Sequence, residues 1–237
     1  MRRVLLVALL LLTSRATRAQ SSTPVYRANG LDVASVVGAG ALYLVPSLLH
    51  LPDTTGACAP CDPATLSGID RGAVQPVSST VELASGAALL AVAAGAAYAS
   101  LHGLPGQQMR GNVAVLANAL AWTATSGEWL KVVFHRERPV MYTADAPAAL
   151  ADRDNLKSFP SGHTALAFAA ATSYLVIAQR QHLPHRERNA LLLYGGATLV
   201  GALRVVAGKH FPTDALGGAA LGIGIGWLVP TIHPTVP

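Results

Sequence analysis

The chain has 237 residues, enough for one domain with or without a targeting segment. Apolar types make up 51% of it and charged types only 12%, about half the roughly 25% usual for a soluble domain, so the composition points toward lipid. The net charge of +5 does not mark a nucleic-acid binder, because the basic residues sit at segment ends without forming a stripe and no aromatic platform accompanies them; a basic rim facing anionic lipid is the plainer reading.

Met1-Arg2-Arg3, the apolar run Val4 to Leu12 and the small-residue exit at Thr17-Arg18-Ala19 give residues 1–19 the form of a signal peptide or N-terminal anchor. Residues 20–237 then read as a single helical domain. A first apolar segment, 31–51, leads into a stretch at 52–81 rich in Pro, Gly, Ser, Thr and Asp, which reads as a loop. This loop holds the two cysteines, Cys58 and Cys61. Without the strand-helix setting of a redox unit, and with no two further zinc ligands nearby, they read as a local disulfide in an oxidising compartment.

Further apolar segments follow at 82–101, 112–134, 163–179, 189–208 and 213–232. Each is near the length of about 20 residues that a membrane helix needs, and none alternates like a strand. A second loop, 139–160, carries Pro139, Pro147, Pro160 and the charged run Asp152-Arg153-Asp154. The predicted fold class is all-α, a bundle of about six mostly transmembrane helices. Arg180, Arg186 and Arg188 crowd one short connection, which the positive-inside rule places in the cytoplasm, with Arg110 on the same side. His163, His210 and Lys131 then emerge together on the opposite face. A cleaved leader starts the mature chain outside, and a spanning 31–51 would invert everything after it. Either the leader is not processed, or 31–51 does not cross; Asp32 and Pro46 make it the weakest span.

Three polar blocks interrupt this apolar chain. Lys131 and Arg138 are seven residues apart, two helical turns, which places them on one helix face about 10 Å apart along the axis, with Pro139 ending the helix. Pro160-Ser161-Gly162-His163 reads as a helix start, with Ser161 as N-cap; free N–H groups, the positive dipole end and an unobstructed Gly162 make an anion cradle. Arg204 lies in an apolar segment where an unpaired guanidinium is expensive, so it needs a partner or an anion. His210 and Asp214 are four apart across Pro212, and a carboxylate bonded to one ring nitrogen leaves the other as nucleophile or base. Each block alone also fits ordinary helix-end chemistry: snorkelling cations, a capped helix, a structural His-Asp pair.

Together, Lys-(six residues)-Arg-Pro, Pro-Ser-Gly-His and Arg-(five residues)-His-(three residues)-Asp resemble the signature of the type 2 phosphatidic acid phosphatase family. That superfamily also includes bacterial acid phosphatases, glucose-6-phosphatase and vanadium haloperoxidases. The resemblance runs from Lys131 to Asp214 and departs at Leu203, where the family usually has serine. It implies His210 as nucleophile forming a phosphohistidine, Asp214 orienting it, and His163 protonating the leaving oxygen and later activating water. It also implies that Lys131, Arg138, Ser161, Gly162 and Arg204 bind phosphate. Three cations stabilise phosphoryl charge as magnesium does elsewhere, so neither metal nor cofactor is expected. The remaining histidines, His135 among them, are given no role.

The reading is a metal-independent phosphatase in a bacterial cell envelope, its site facing the periplasm or exterior, its substrate a phosphorylated lipid or lipid diphosphate held at the membrane. The alternatives are a secreted soluble acid phosphatase on small phosphomonoesters, a vanadate-dependent haloperoxidase and a non-enzymatic membrane protein.

Overall fold

The computed structural model describes residues 25–53 and 55–236. Residues 1–19, expected as signal peptide or anchor, lie outside the described residues. Six long helices form the bundle: α1 (Gly30–Leu48), α2 (Ser79–Leu101), α3 (Gly106–Phe134), α4 (Gly162–Arg180), α5 (Arg186–Val206) and α6 (Pro212–Ile232). The all-α expectation holds, with each apolar segment appearing as one helix. Two short strands, β1 (Val25–Tyr26) and β2 (Thr235–Val236), pair antiparallel, Val25 opposite Val236. They join the two ends of the described chain.

Local chemistry sets the helix ends. Asn29 accepts from the Leu31 N–H at 2.8 Å while Asp32 accepts from the Asn29 N–H at 2.8 Å, so the first turn of α1 is satisfied by its own side chains. Pro46 falls in the last turn of α1, and the Leu42 carbonyl that its missing N–H leaves without a helical donor accepts from Trp129 instead. α3 starts six residues before the predicted 112, inside a stretch that reads as a connection. Its polar first turns are tied to α4: Gln181 Oε1 accepts from Gln108 and Asn112, each at 2.9 Å, and Asn112 also donates to the Ser100 carbonyl at 2.7 Å. A tertiary contact thus holds Gln108, which local pattern assigns to a connection, while Asn112 lies within the expected segment.

α4 is the central helix. Ala165, Ala167, Ala169, Ala170, Tyr174 and Ile177 are buried against α2, α3, α5 and α6. Its closest neighbour, α6, turns Gly218, Gly222 and Gly226 toward it, and a Cβ at any of the three would collide with the α4 backbone near Ser161, Ala165 and Ala169 respectively. Small residues at four-residue spacing let the two axes approach closely. α1, α2, α5 and α6 are long and apolar enough to cross a membrane. They expose Val37, Leu90, Leu191 and Trp227 outward. α3 and α4 are as long but more polar than the six-span expectation requires, since much of their surface faces other helices.

α1 runs parallel to α3, with Trp122 donating to Ser35 at 2.9 Å and Trp129 donating to the Leu42 carbonyl at 3.0 Å. The ribbon and Arg110, Arg180, Arg186 and Arg188 therefore occupy one end of the bundle. The ends of α3 and α5, the starts of α4 and α6, and the loops 49–78 and 135–161 occupy the other. Cys58 and Cys61 form a disulfide in the first of these loops.

Candidate active site

All three polar blocks lie at the loop-bearing end. Lys131 sits in the last turn of α3, which stops at Phe134 because His135 takes a left-handed conformation (φ 45°). The expected continuous helix face from Lys131 to Arg138 is therefore not formed. The chain instead runs on through 136–138 beside 155–158: Arg138 N–H donates to the Asn155 carbonyl and Ser158 N–H to the Arg136 carbonyl, both at 2.8 Å. Pro139 then opens a short 3-10 turn, Pro139–Tyr142. This reversal brings Arg138 back over the bundle end, where it is 4% exposed.

Ser161 occupies the N-cap position of α4, yet its hydroxyl does not cap the helix. It pairs with Thr164 Oγ1 at 2.9 Å. A Cβ on Gly162 would stand 3.6 Å from Lys131 Nζ, so the α4 start and the Lys131 ammonium face one another. Arg204, in the last turn of α5, is 3% exposed. Its Nη1 donates to Ser85 Oγ on α2 at 3.1 Å and lies 3.8 Å from Glu82. Ser85 thus supplies a hydroxyl to the arginine preceded by Leu203.

His210 lies between α5 and α6, with Asp214 in the first turn of α6. The expected bond between them is replaced. His210 Nδ1 is 2.7 Å from the Ser158 carbonyl oxygen and 3.7 Å from Asp214 Oδ2. Asp214 Oδ2 is already occupied, accepting from Ser158 Oγ at 2.6 Å and from the Phe211 N–H at 2.8 Å, while Oδ1 takes Arg136 Nη1 at 2.5 Å. A carbonyl only accepts, so Nδ1 carries the proton and neutral His210 keeps its lone pair on Nε2. Burial, reinforced by Arg138 and Arg204 and opposed by Asp214, pushes this imidazole down to about 3.

Lys131, Arg138, Gly162, His163, Arg204 and His210 line one cavity of about 280 Å³; Ser161 and Asp214, both fully buried, are not part of its lining. Glu82, Asp154 and Lys209 line it too, and Tyr43, Leu89, Ala124 and Leu166 give it an apolar side. The Nε atoms of buried Arg138 and Arg204 find no hydrogen-bond partner among the described residues. Two desolvated guanidiniums with N–H groups to spare have the chemistry to take a multivalent anion.

The PAP2 superfamily model matches residues 112–236, the span that carries all three blocks. The chain belongs to the PAP2 superfamily. It is 40% identical over 74 residues to lipid A 1-phosphatase of Porphyromonas gingivalis, a match spanning 30% of this chain and 15% of that protein. It is 45% identical over 78 residues to phosphatidylglycerophosphatase B of Bacillus subtilis, spanning 30% of this chain and 37% of the relative. Both matches therefore cover well under two thirds of the relatives' length. Among solved structures, the first transmembrane PAP2 type phosphatidylglycerolphosphate phosphatase from Bacillus subtilis aligns over 84% of this chain and 94% of its own, with TM-score 0.46 at 19% identity.

Around the PAP2 blocks stand groups that motif reading passes over. Lys157 is buried and donates to Glu128 Oε1 at 2.8 Å, while Glu128 Oε2 lies 3.3 Å from Lys131 Nζ. One carboxylate thereby fixes two ammonium groups. Arg136, which by sequence is one more helix-end cation, is instead the partner of Asp214. Nothing local signals this, since Asp214 is 78 residues away.

Proposed function

We propose that this PAP2 protein is a membrane-embedded phosphatase that hydrolyses lipid phosphate or diphosphate esters through a phosphohistidine on His210, with no metal. The observation that carries the reading is the pair of buried arginines, Arg138 and Arg204, which have Nε–H groups without partners among the described residues and line the same cavity as His163 and His210.

The chemistry follows from that arrangement. The Nε2 lone pair forms a bond to phosphorus as the ester P–O bond breaks. The bonding pair passes to the leaving oxygen, which takes a proton from His163, the imidazole entering this step as the imidazolium and leaving it neutral. Water then gives its proton to His163 and attacks phosphorus, the N–P bond breaks, and inorganic phosphate leaves. Lys131, Arg138, Arg204 and the Ser161-Gly162 turn carry the charge of the equatorial oxygens. The apolar cavity side, together with four helices long enough to span a bilayer, suits an amphiphile whose tail stays in lipid. Arginines at the ribbon end and a disulfide at the site end both favour a site open to the periplasm or exterior of a bacterial envelope. With α1 crossing, residue 25 lies on the cytoplasmic side.

The test is release of phosphate from phosphatidic acid, phosphatidylglycerol phosphate and an isoprenoid diphosphate by purified protein in detergent containing EDTA. His210→Ala abolishes release and the trapping of labelled phosphate on protein. Undiminished activity in that variant overturns the proposal.

A further inference from the structure

The signature blocks explain how Asp214 comes to stand beside His210, but not what holds Asp214 there or leaves it able to stabilise a cation. Arg136 occupies one of its oxygens at 2.5 Å. Taken alone, that pair is neutral. The second partner of Arg136 comes from outside the span matched by the PAP2 family: Asp70, on a one-turn helix, Gly68–Arg71, in the loop between α1 and α2. Asp70 is 2% exposed. Its Oδ2 accepts from Arg136 Nη2 at 2.8 Å and from Thr213 Oγ1 at 2.7 Å, and its Oδ1 accepts from the Thr213 N–H at 3.2 Å. Arg136 Nη1 also donates to Thr213 Oγ1 at 2.7 Å, and its guanidinium lies over the Phe211 ring, 4.5 Å from the centroid.

We infer that Asp70 is a positioning residue for phosphoryl transfer: through Arg136 it orients the Asp214 carboxylate and leaves the Asp70–Arg136–Asp214 trio with one net negative charge beside His210. The inference rests on the phosphatase reading above. When Nε2 of His210 takes the phosphoryl group while Nδ1–H remains on the Ser158 carbonyl, the ring becomes cationic. A neutral Arg136–Asp214 pair stabilises that cation less than the anionic trio does, in a site from which water is largely excluded. The loop is built to hold Asp70 still. Arg71 donates to the carbonyls of Pro63, Ala64 and Leu66 at 3.1 to 3.2 Å, Gln75 donates to the Val205 carbonyl at 2.7 Å, and Leu66 and Ala73 pack on Phe211. Burial would raise the Asp70 carboxyl, but hydrogen bonds from Arg136 and Thr213 outweigh it and hold the group below the usual carboxylate range, so it is anionic at neutral pH.

Asp70→Asn keeps the shape and removes the charge. It lowers kcat for phosphatidic acid by about 10- to 100-fold and leaves KM within about twofold. Inhibition by inorganic phosphate, which needs only the cations, is unchanged. Inhibition by orthovanadate, whose five-coordinate form bonds to the nucleophilic nitrogen, weakens in step with kcat. The Asp70→Asn/Arg136→Gln double variant loses no more than Arg136→Gln alone. Thr213→Val, which keeps all three charges and removes the hydroxyl that donates to Asp70 and accepts from Arg136, retains kcat within about threefold and tests the charge argument should Asp70→Asn not fold. An active wild type matched by Asp70→Asn, losses that multiply in the double variant, or a Thr213→Val loss as large as that of Asp70→Asn overturns the role of Asp70 alone. A wild type that neither hydrolyses lipid phosphates nor binds either oxyanion overturns the phosphatase reading and this inference with it.

Discussion

His210 Nδ1 stands 2.7 Å from the Ser158 carbonyl oxygen, and this backbone contact, not the Asp214 carboxylate, sets the tautomer of the imidazole. Ser158 therefore has two functions: its carbonyl holds the ring and its hydroxyl, 2.6 Å from Oδ2, holds the carboxylate beside the ring. The segment 155–158 is itself fixed against 136–138, so the first block positions the third.

Stability should track the proton that folded His210 refuses. Its pKa falls from 6.5 to about 3 on folding, so below pH 6.5 the unfolded chain binds a proton that the folded chain does not. This group's contribution is complete above pH 6.5 and is lost as pH falls toward 3, at about 1.4 kcal/mol per pH unit. Thermal unfolding in detergent between pH 6.5 and 5 reads this above the range where carboxylates titrate. The midpoint declines in the wild type, and His210→Gln flattens the decline. Equal slopes in the two proteins contradict the assignment.

Asp214→Asn places an amide N–H₂ among three donors, Arg136, Ser158 Oγ and the Phe211 N–H, and cannot satisfy all of them. Breaking a buried ion pair by removing one partner costs about 3–5 kcal/mol. The expected result is a lower unfolding midpoint together with loss of phosphate release. Loss of activity at unchanged stability would mean that Asp214 is not the structural hub of this end.

The helices were legible because hydrophobic runs of membrane length need no tertiary information, and the three blocks were legible because their spacing is local. The start of α3 was not, since residues 106–111, which read as a connection, form its first turns, with Gln108 bonded to Gln181 just past the end of α4. Nor was the Lys131–Arg138 geometry, which turns on one left-handed residue, His135. Glu128 and Lys131, three apart on one helix, are a pair the sequence already offers; the other partners that complete the site, Asp70 for Arg136, Ser85 for Arg204 and Lys157 for Glu128, lie on other elements, and a chain read along its length gives no reason to join them.

The α4–α6 contact predicts a contrast between two glycines. A methyl on Gly222 would meet the Ala165 carbonyl and the Ala169 amide, both backbone, whereas one on Gly38 in α1 meets nothing within 4 Å. Gly222→Ala therefore costs about 1–3 kcal/mol through overpacking. Gly38→Ala is neutral or stabilises by up to about 1 kcal/mol, as expected for Ala over Gly in a helix. Unfolding midpoints of the two variants in the same detergent check this, and similar values would mean that α4 and α6 are not in backbone contact.

The role proposed for His163 predicts how its loss depends on the leaving group. An alkoxide leaving a glycerolipid needs a proton, so His163→Ala lowers its release by about 100- to 10,000-fold, the usual range for a general acid. A nitrophenolate leaves without one, and its first displacement by His210 should be far less affected. The second step still lacks the base that activates water. With p-nitrophenyl phosphate the variant should therefore show a burst of about one nitrophenolate per protein followed by slow turnover, with labelled phosphate accumulating on His210. Rapid-quench measurement with both substrates separates the two steps. Equal losses with the two leaving groups, and no burst, would remove His163 from proton transfer and leave it as a residue that only shapes the cavity.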